Sequence, residues 1–172
     1  HWYDPAKFWL ASAKRAMLAD ELANILCPAK ESECFTAAFL QDMALPFLAC
    51  QRMDLYEPIL RKWQSKGGNL AELEREVLEW DHAEVATWIC DDWNFPENIA
   101  AAIGGHHGTC YDGHEPLVPV GLVSYLRENE KDLGTEVLIE EAHSRCGIPF
   151  DQMRKLVESS FEKGDALAPL MM

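Results

Sequence analysis

Side chains able to hold a cation stand at a few marked places in this sequence. The run Asp81-His82-Ala83-Glu84 has the spacing of a capping box, so His82 opens a helix. The positive end of the helix dipole there favours neutral imidazole, which keeps a ring nitrogen available as a metal ligand. His106 and His107 are adjacent and so about 100° apart around a helix. With Ile99 and Ile103 they fall at i, i+4, i+7 and i+8, which turns both rings toward the core side. Asp42 lies within the most apolar stretch, Ala37 to Leu48, where an unpaired carboxylate is costly and requires a cation or hydrogen-bond donor. Three imidazoles and one carboxylate are a donor set for a zinc-like ion. The same residues also have a plainer reading, in which a buried Asp caps a neighbouring helix and histidines at helix ends bond to backbone carbonyls. Residue type and spacing leave both open.

The elements that must position these residues are helical throughout. Asp4-Pro5 reads as an N-cap and first helical residue, and apolar positions from Phe8 to Leu26 predict a helix that stops at Cys27-Pro28, with Lys7, Lys14 and Glu21 as its polar seam. A second helix is expected from Ser32 or Glu33 through Leu48, apolar on nearly every face, with a kink or break at Pro46. After Lys66-Gly67-Gly68, Asn69 caps a helix expected to turn Leu70, Leu73, Val77 and Leu78 inward and Glu72, Glu74, Glu76 and Glu79 to water. The helix from His82 to about Trp93 should bury Val85, Trp88 and Ile89, and Pro96 should open the next, which Gly104-Gly105 weaken just before the paired histidines. Gly108 to Pro119 reads as a loop. Helices are predicted from Val118 to Glu130, Thr135 to Cys146 and Pro149 to Lys163, with a frayed tail over 165–172. There is no strand alternation, so residues 1–172 are expected to form a single all-α domain of about eight or nine helices.

Composition narrows the function classes. The 172 residues carry 15 Lys and Arg against 29 Asp and Glu, a formal charge of −14. A field of that sign repels phosphates, so binding to nucleic acid or to anionic membrane is not expected. No apolar run reaches the length of a membrane span, and no signal-peptide pattern opens the sequence. Six cysteines without a C-x-x-C pair are read as free thiols of a reducing compartment, which implies a cytoplasmic protein. Trp2, Trp63 and Trp80 are the tryptophans expected at a contact surface rather than in the core.

The segments Phe8-Trp9-Leu10-Ala11-Ser12, Ala37-Ala38-Phe39-Leu40-Gln41-Asp42-Met43-Ala44, Asp81-His82-Ala83-Glu84-Val85, Trp93-Asn94-Phe95-Pro96-Glu97 and His106-His107 occur in order and at fitting intervals. Together they resemble the HDOD family, the output-domain relative of the HD and HD-GYP metal-dependent phosphohydrolases, over about Phe8 to Arg127. Such domains usually carry several further helices before the Phe-Trp segment, so the resemblance implies a C-terminal portion of one. In the hydrolytic relatives a histidine follows the Trp by two or three residues, a His-Asp pair occupies the buried helix, and a later Asp closes the principal metal site. Here Ala11 stands at or beside the first position, Gln41-Asp42 at the second, and Tyr125-Leu126-Arg127 offers no carboxylate at the third. The resemblance leaves Asp42, His82, His106 and His107 as a residual metal set, Asp42 being the bridging carboxylate of binuclear relatives.

It therefore implies a non-catalytic regulatory output domain acting through protein-protein or interdomain contacts. Its partner would be a signalling protein or an adjacent regulatory domain, and no cofactor is expected. The alternative is a metal-dependent phosphohydrolase of phosphodiesters or phosphomonoesters, using a single divalent ion on those four residues. The loop Tyr111 to Pro116 is similar to the Asp-Gly loop of HD-GYP phosphodiesterases but lacks Gly-Tyr-Pro and reads as an ordinary turn.

Overall fold

Asp4 starts the first helix as its sequence suggests: the side chain accepts from the Ala6 amide at 3.0 Å, and Pro5 occupies the first helical position. The computed structural model describes residues 4–107, 117–127 and 133–170. Their helices are α1 (Pro5–Leu26), α2 (Glu31–Leu40), α3 (Ala44–Gln51), α4 (Met53–Lys66), α5 (Leu70–Leu78), α6 (His82–Asp92), α7 (Glu97–Gly104), α8 (Val118–Val123), α9 (Thr135–Cys146) and α10 (Phe150–Leu167). Short 3-10 turns cover Pro28–Lys30 and Ala168–Leu170. No strand occurs among the described residues, and the all-α expectation holds.

One long element organises the rest. α1 lies against α2, α8 and α10, and Trp9 stacks on Phe39 of α2 at 5.7 Å. Along the inner face of α1, Phe8, Ser12, Arg15, Ala19 and Leu22 follow one another at helical spacing and are all buried. The α1–α10 contact is close: a Cβ on Gly164 would meet the Lys14 backbone at 2.9 Å, and Lys14 pairs with Asp165 at 2.9 Å. A single apolar cluster, with Leu18, Leu22, Tyr56, Ile103, Leu122, Leu138 and Met153 among its members, joins helices from both ends of the chain.

Several local expectations are corrected. The helix expected through Leu48 breaks at Gln41-Asp42-Met43, not at Pro46. Tight bonds from the Met43 amide to the Leu40 carbonyl and from the Leu45 amide to the Asp42 carbonyl, both 2.9 Å, close this turn. Pro46 falls in the first turn of α3, where a missing N–H costs nothing because that amide has no partner within the helix. Asp42 is therefore a turn residue. On α5, Val77 is exposed and Glu74 is fully buried, the reverse of expectation, because Glu74 shares a stripe with Leu70 and satisfies three donors. On α6, Val85 is buried and Ile89 packs against the core as expected, but Trp88 is exposed, and Ala86 and Cys90 complete the inner face.

Trp63 is buried, its indole N–H donating to the Gly68 carbonyl at 3.0 Å, and Trp80 stacks on Tyr56 at 6.3 Å. Neither is thus the open contact residue that composition suggested, while Trp2 lies outside the described residues. α8 ends at Val123, and positions 128–130 of the helix expected there also lie outside. α10 continues to Leu167 and a 3-10 turn follows, so the chain expected to fray from 165 is helical up to 170, with Ala168 buried. Gly147 ends α9 at φ 68°, as its sequence position indicates.

Candidate functional site

The capping box at α6 forms as expected. Asp81 Oδ1 accepts from the Ala83 and Glu84 amides at 2.9 and 3.0 Å, and Glu84 returns a carboxylate to the Asp81 amide at 3.1 Å. Arg75 pairs with the other Asp81 oxygen. This rigid start delivers His82 inward, 2% exposed. His106 and His107 arrive differently from expectation: α7 ends at Gly104, and both lie in the turn that follows. The His106 Nδ1–H donates to the Ile103 carbonyl at 2.5 Å, which holds the ring against the end of its own helix.

All four sequence-predicted residues converge. One donor atom from each of Asp42, His82, His106 and His107 lies within 4.8 Å of the others. Asp42 Oδ1 is 3.3 Å from His82 Nε2 and 3.2 Å from His106 Nε2, and His82 Nε2 is 2.9 Å from His107 Nε2. Asp42, His82 and His106 are buried and His107 is half-buried. Tyr111 to Pro116, the loop with the Asp-Gly pair, lies outside the described residues.

Two further residues complete the site, and sequence reasoning missed them. Glu74 accepts from the Tyr56 hydroxyl at 2.7 Å, from the His82 amide at 2.9 Å and from His82 Nδ1 at 2.6 Å. Arg15 spans from α1 to the other oxygen of Asp42: its Nη1 meets Oδ2 at 2.6 Å, while Nε and Nη2 donate to the Leu126 carbonyl at 3.2 and 2.8 Å. That carbonyl is held by the chain around it, since the Arg127 amide bonds to the Leu133 carbonyl at 3.0 Å. Gly134 approaches Tyr125 so closely, at φ 72°, that a Cβ would meet the Tyr125 carbonyl oxygen at 1.8 Å. The guanidinium thus lies between α1, Asp42 and the segment Tyr125 to Arg127, the three places where the family resemblance puts the principal metal ligands. The signal for both residues was positional: Arg15 lies off the polar seam, seven residues from Phe8 and from Leu22, and Glu74 lies four from Leu70 and four from Leu78.

Protonation follows from these neighbours. Burial opposes the charge on Asp42, but Arg15, with His106 and His82 behind it, outweighs burial and holds the carboxyl well below its usual range. Burial likewise opposes a charged His82, yet Glu74 and Asp42 prevail and push it up to about 10. The neutral ring expected from the helix N-terminus is thereby corrected, because two carboxylates at contact distance outweigh a dipole of about half a charge. Burial and the adjacent His106 and His82 hold His107 well below the usual range, so it is the neutral acceptor of the His82 Nε2 proton. The charges close in pairs: Arg15 with Asp42, His82 with Glu74, Arg75 with Asp81.

The donor set fits a metal ion. An ion bonded at about 2.0–2.1 Å in a tetrahedron has ligand atoms about 3.3 Å apart; three of the donor pairs here stand at 2.9–3.3 Å, and all four donor atoms lie within 4.8 Å of one another. His82 and His106 each engage Nδ1 with an oxygen acceptor, which directs Nε2 inward, and His106 Nε2 is buried without a hydrogen bond among the described residues. Asp42 Oδ1 and the inward nitrogens of His82, His106 and His107 would hold the ion. Bound there, it would supply Lewis acidity and a lowered pKa for any water it kept.

A helical domain built round a histidine-carboxylate cluster is what the family resemblance leads one to expect. The HDOD domain model matches residues 3–109, more than half of the chain, and the chain belongs to the HDOD family. Two solved structures share the fold. A protein described as "Putative phosphohydrolase" from Shewanella amazonensis SB2B aligns with a TM-score of 0.69 at 20% identity, over 95% of this chain and 64% of its own. The MmoQ response regulator from Methylococcus capsulatus str. Bath aligns with a TM-score of 0.61 at 26% identity, over 91% of this chain and 62% of its own. The chain therefore spans just under two thirds of each. No curated protein matches it.

Proposed function

We propose that this chain is a non-catalytic regulatory output module of a cytoplasmic signalling protein, working through contacts with a partner protein or an adjacent domain. One observation carries this reading: both oxygens of the only carboxylate in the cage are already committed. Oδ2 is taken by Arg15, which occupies the place of a second cation, and Oδ1 belongs to a shell of four protein donors. Four protein donors make a closed site of the structural kind, whereas catalytic zinc sites keep one position for water or substrate. A buried guanidinium does not exchange as a metal ion does, because it is covalently part of α1, and its three nitrogens are engaged here by Asp42 and the Leu126 carbonyl. The structural likeness to a response regulator agrees with the reading. Among the described residues no helix is long and apolar enough to cross a membrane.

A second reading, a metal-dependent phosphohydrolase using Asp42, His82, His106 and His107, is favoured by the convergence of their donor atoms within 4.8 Å. Metal analysis of chelator-free protein, with hydrolysis assays on a chromogenic phosphodiester, a phosphomonoester and cyclic dinucleotides, separates the two. The regulatory reading expects at most one ion per chain and no turnover above background. Metal-dependent turnover that disappears in both His82→Ala and His106→Ala would establish the enzyme instead.

A further inference from the structure

Trp88 and Trp93 are the most exposed aromatic side chains among the described residues, at 61% and 63%. Trp88 stands on the outer face of α6 with Glu84 one turn before it and Asp91 and Asp92 one turn after, all three exposed. Trp93 follows as the C-cap, its ring tilted against Phe95 at 6.1 Å. The two aspartates end α6 at the negative pole of the helix dipole, and no basic residue occupies its last turn. Their placement therefore works against the helix that carries them, and the exposed indoles contribute little to the core. Local rules broken together on one surface, without a gain to the fold, mark a place where something binds.

The chemistry of that face selects its occupant. An indole surrounded by carboxylates attracts a guanidinium or ammonium, which can lie on the ring while bonding to the acid groups. The net charge of −14 draws basic partners and repels phosphate-bearing ones. We propose that the Trp88 face of α6, rimmed by Glu84, Asp91 and Asp92 and continued by Trp93, docks a basic segment of a partner protein through an Arg or Lys laid on the Trp88 ring. The proposal deepens the regulatory reading by naming the class of partner.

The test uses the full chain and a labelled amphipathic peptide with Lys and Arg on one face and Leu on the other, followed by fluorescence anisotropy. Trp88→Ala, which leaves net charge unchanged, and Asp91→Lys with Asp92→Lys are each expected to weaken binding by roughly tenfold or more. Glu158→Lys with Glu162→Lys, the same charge change on the exposed side of α10, should weaken it by less than about threefold. Trp88→Phe should recover part of the Trp88→Ala loss, and circular dichroism should show all variants folded. Equal weakening by both charge pairs, unchanged affinity in Trp88→Ala, or no binding by the unaltered chain would overturn the proposal. Each of these results leaves the hydrolysis assays unaffected, so loss of this surface and loss of the non-catalytic reading are told apart.

Discussion

The two oxygens of Asp42 face opposite kinds of cation. Oδ2 meets Arg15, a charge that is covalently part of α1 and cannot leave. Oδ1 meets His82 and His106, and the proton that Glu74 and Asp42 keep on His82 also faces His107. One half of the cage holds a fixed charge and the other a titratable one. A buried carboxylate needs compensation from whatever lies near it, and the cation need not be a metal. A guanidinium balances the charge and joins helices as a metal ion would, but it supplies no Lewis acidity.

The largest effect is expected on the arginine side. Arg15→Met leaves Asp42 buried without its fixed counter-charge and frees the Leu126 carbonyl, so urea denaturation should show a loss of about 3–5 kcal/mol. Arg15→Lys should recover only part of it, since an ammonium cannot bridge both acceptors with the same fork. If Arg15→Met costs under about 1 kcal/mol, the guanidinium is not the cation that the cage depends on.

On the histidine side, Glu74→Gln removes the carboxylate that holds His82 and should cost about 1.5–3 kcal/mol. The pH dependence has a definite sign. His82 is raised from 6.5 to about 10 on folding, so its contribution is complete below pH 6.5 and is lost as pH rises through about 10. In chelator-treated protein, stability should therefore fall over that window, and Glu74→Gln should flatten the fall. A divalent ion competes for the same nitrogen lone pair, so its binding, followed by calorimetry, should strengthen as pH rises. The arginine side should show no corresponding dependence.

A smaller change acts on α1 alone. Gly164→Ala forces a Cβ against the Lys14 backbone, one residue from Arg15, and should cost roughly 1–3 kcal/mol in thermal unfolding while leaving metal affinity on the histidine side within about twofold. The smallest effect is expected at Pro46→Ala, within about 0.5 kcal/mol, because this proline sits in the first turn of α3 and does not make the bend that presents Asp42. A large loss there would return the break in the chain to Pro46.

Much of the fold was legible because it rests on local rules. The Asp4 cap, the capping box of Asp81 and Glu84, the Asn69 cap and the Gly147 stop each depend on residues within a few positions of one another. The candidate ligands were legible too, since Asp and His on apolar faces must find partners. Their partners were not. Glu74 looked like a member of a charged helix surface, Arg15 was not singled out, and Trp88 looked like core, because one helix carries apolar residues over a wide arc and the sequence does not say which part of that arc its neighbours cover.

By itself the amino-acid sequence determined the helical class, most helix starts and the four side chains that could cage an ion, all consequences of periodicity and of the cost of isolated polar groups. Only the tertiary structure decided that Arg15 would close one side of Asp42, that Glu74 would orient and charge His82, and that Trp88 would remain in water. Those outcomes depend on which helices meet, over separations of up to 111 residues as between Arg15 and Leu126, and a contact of that range has no local signature to read.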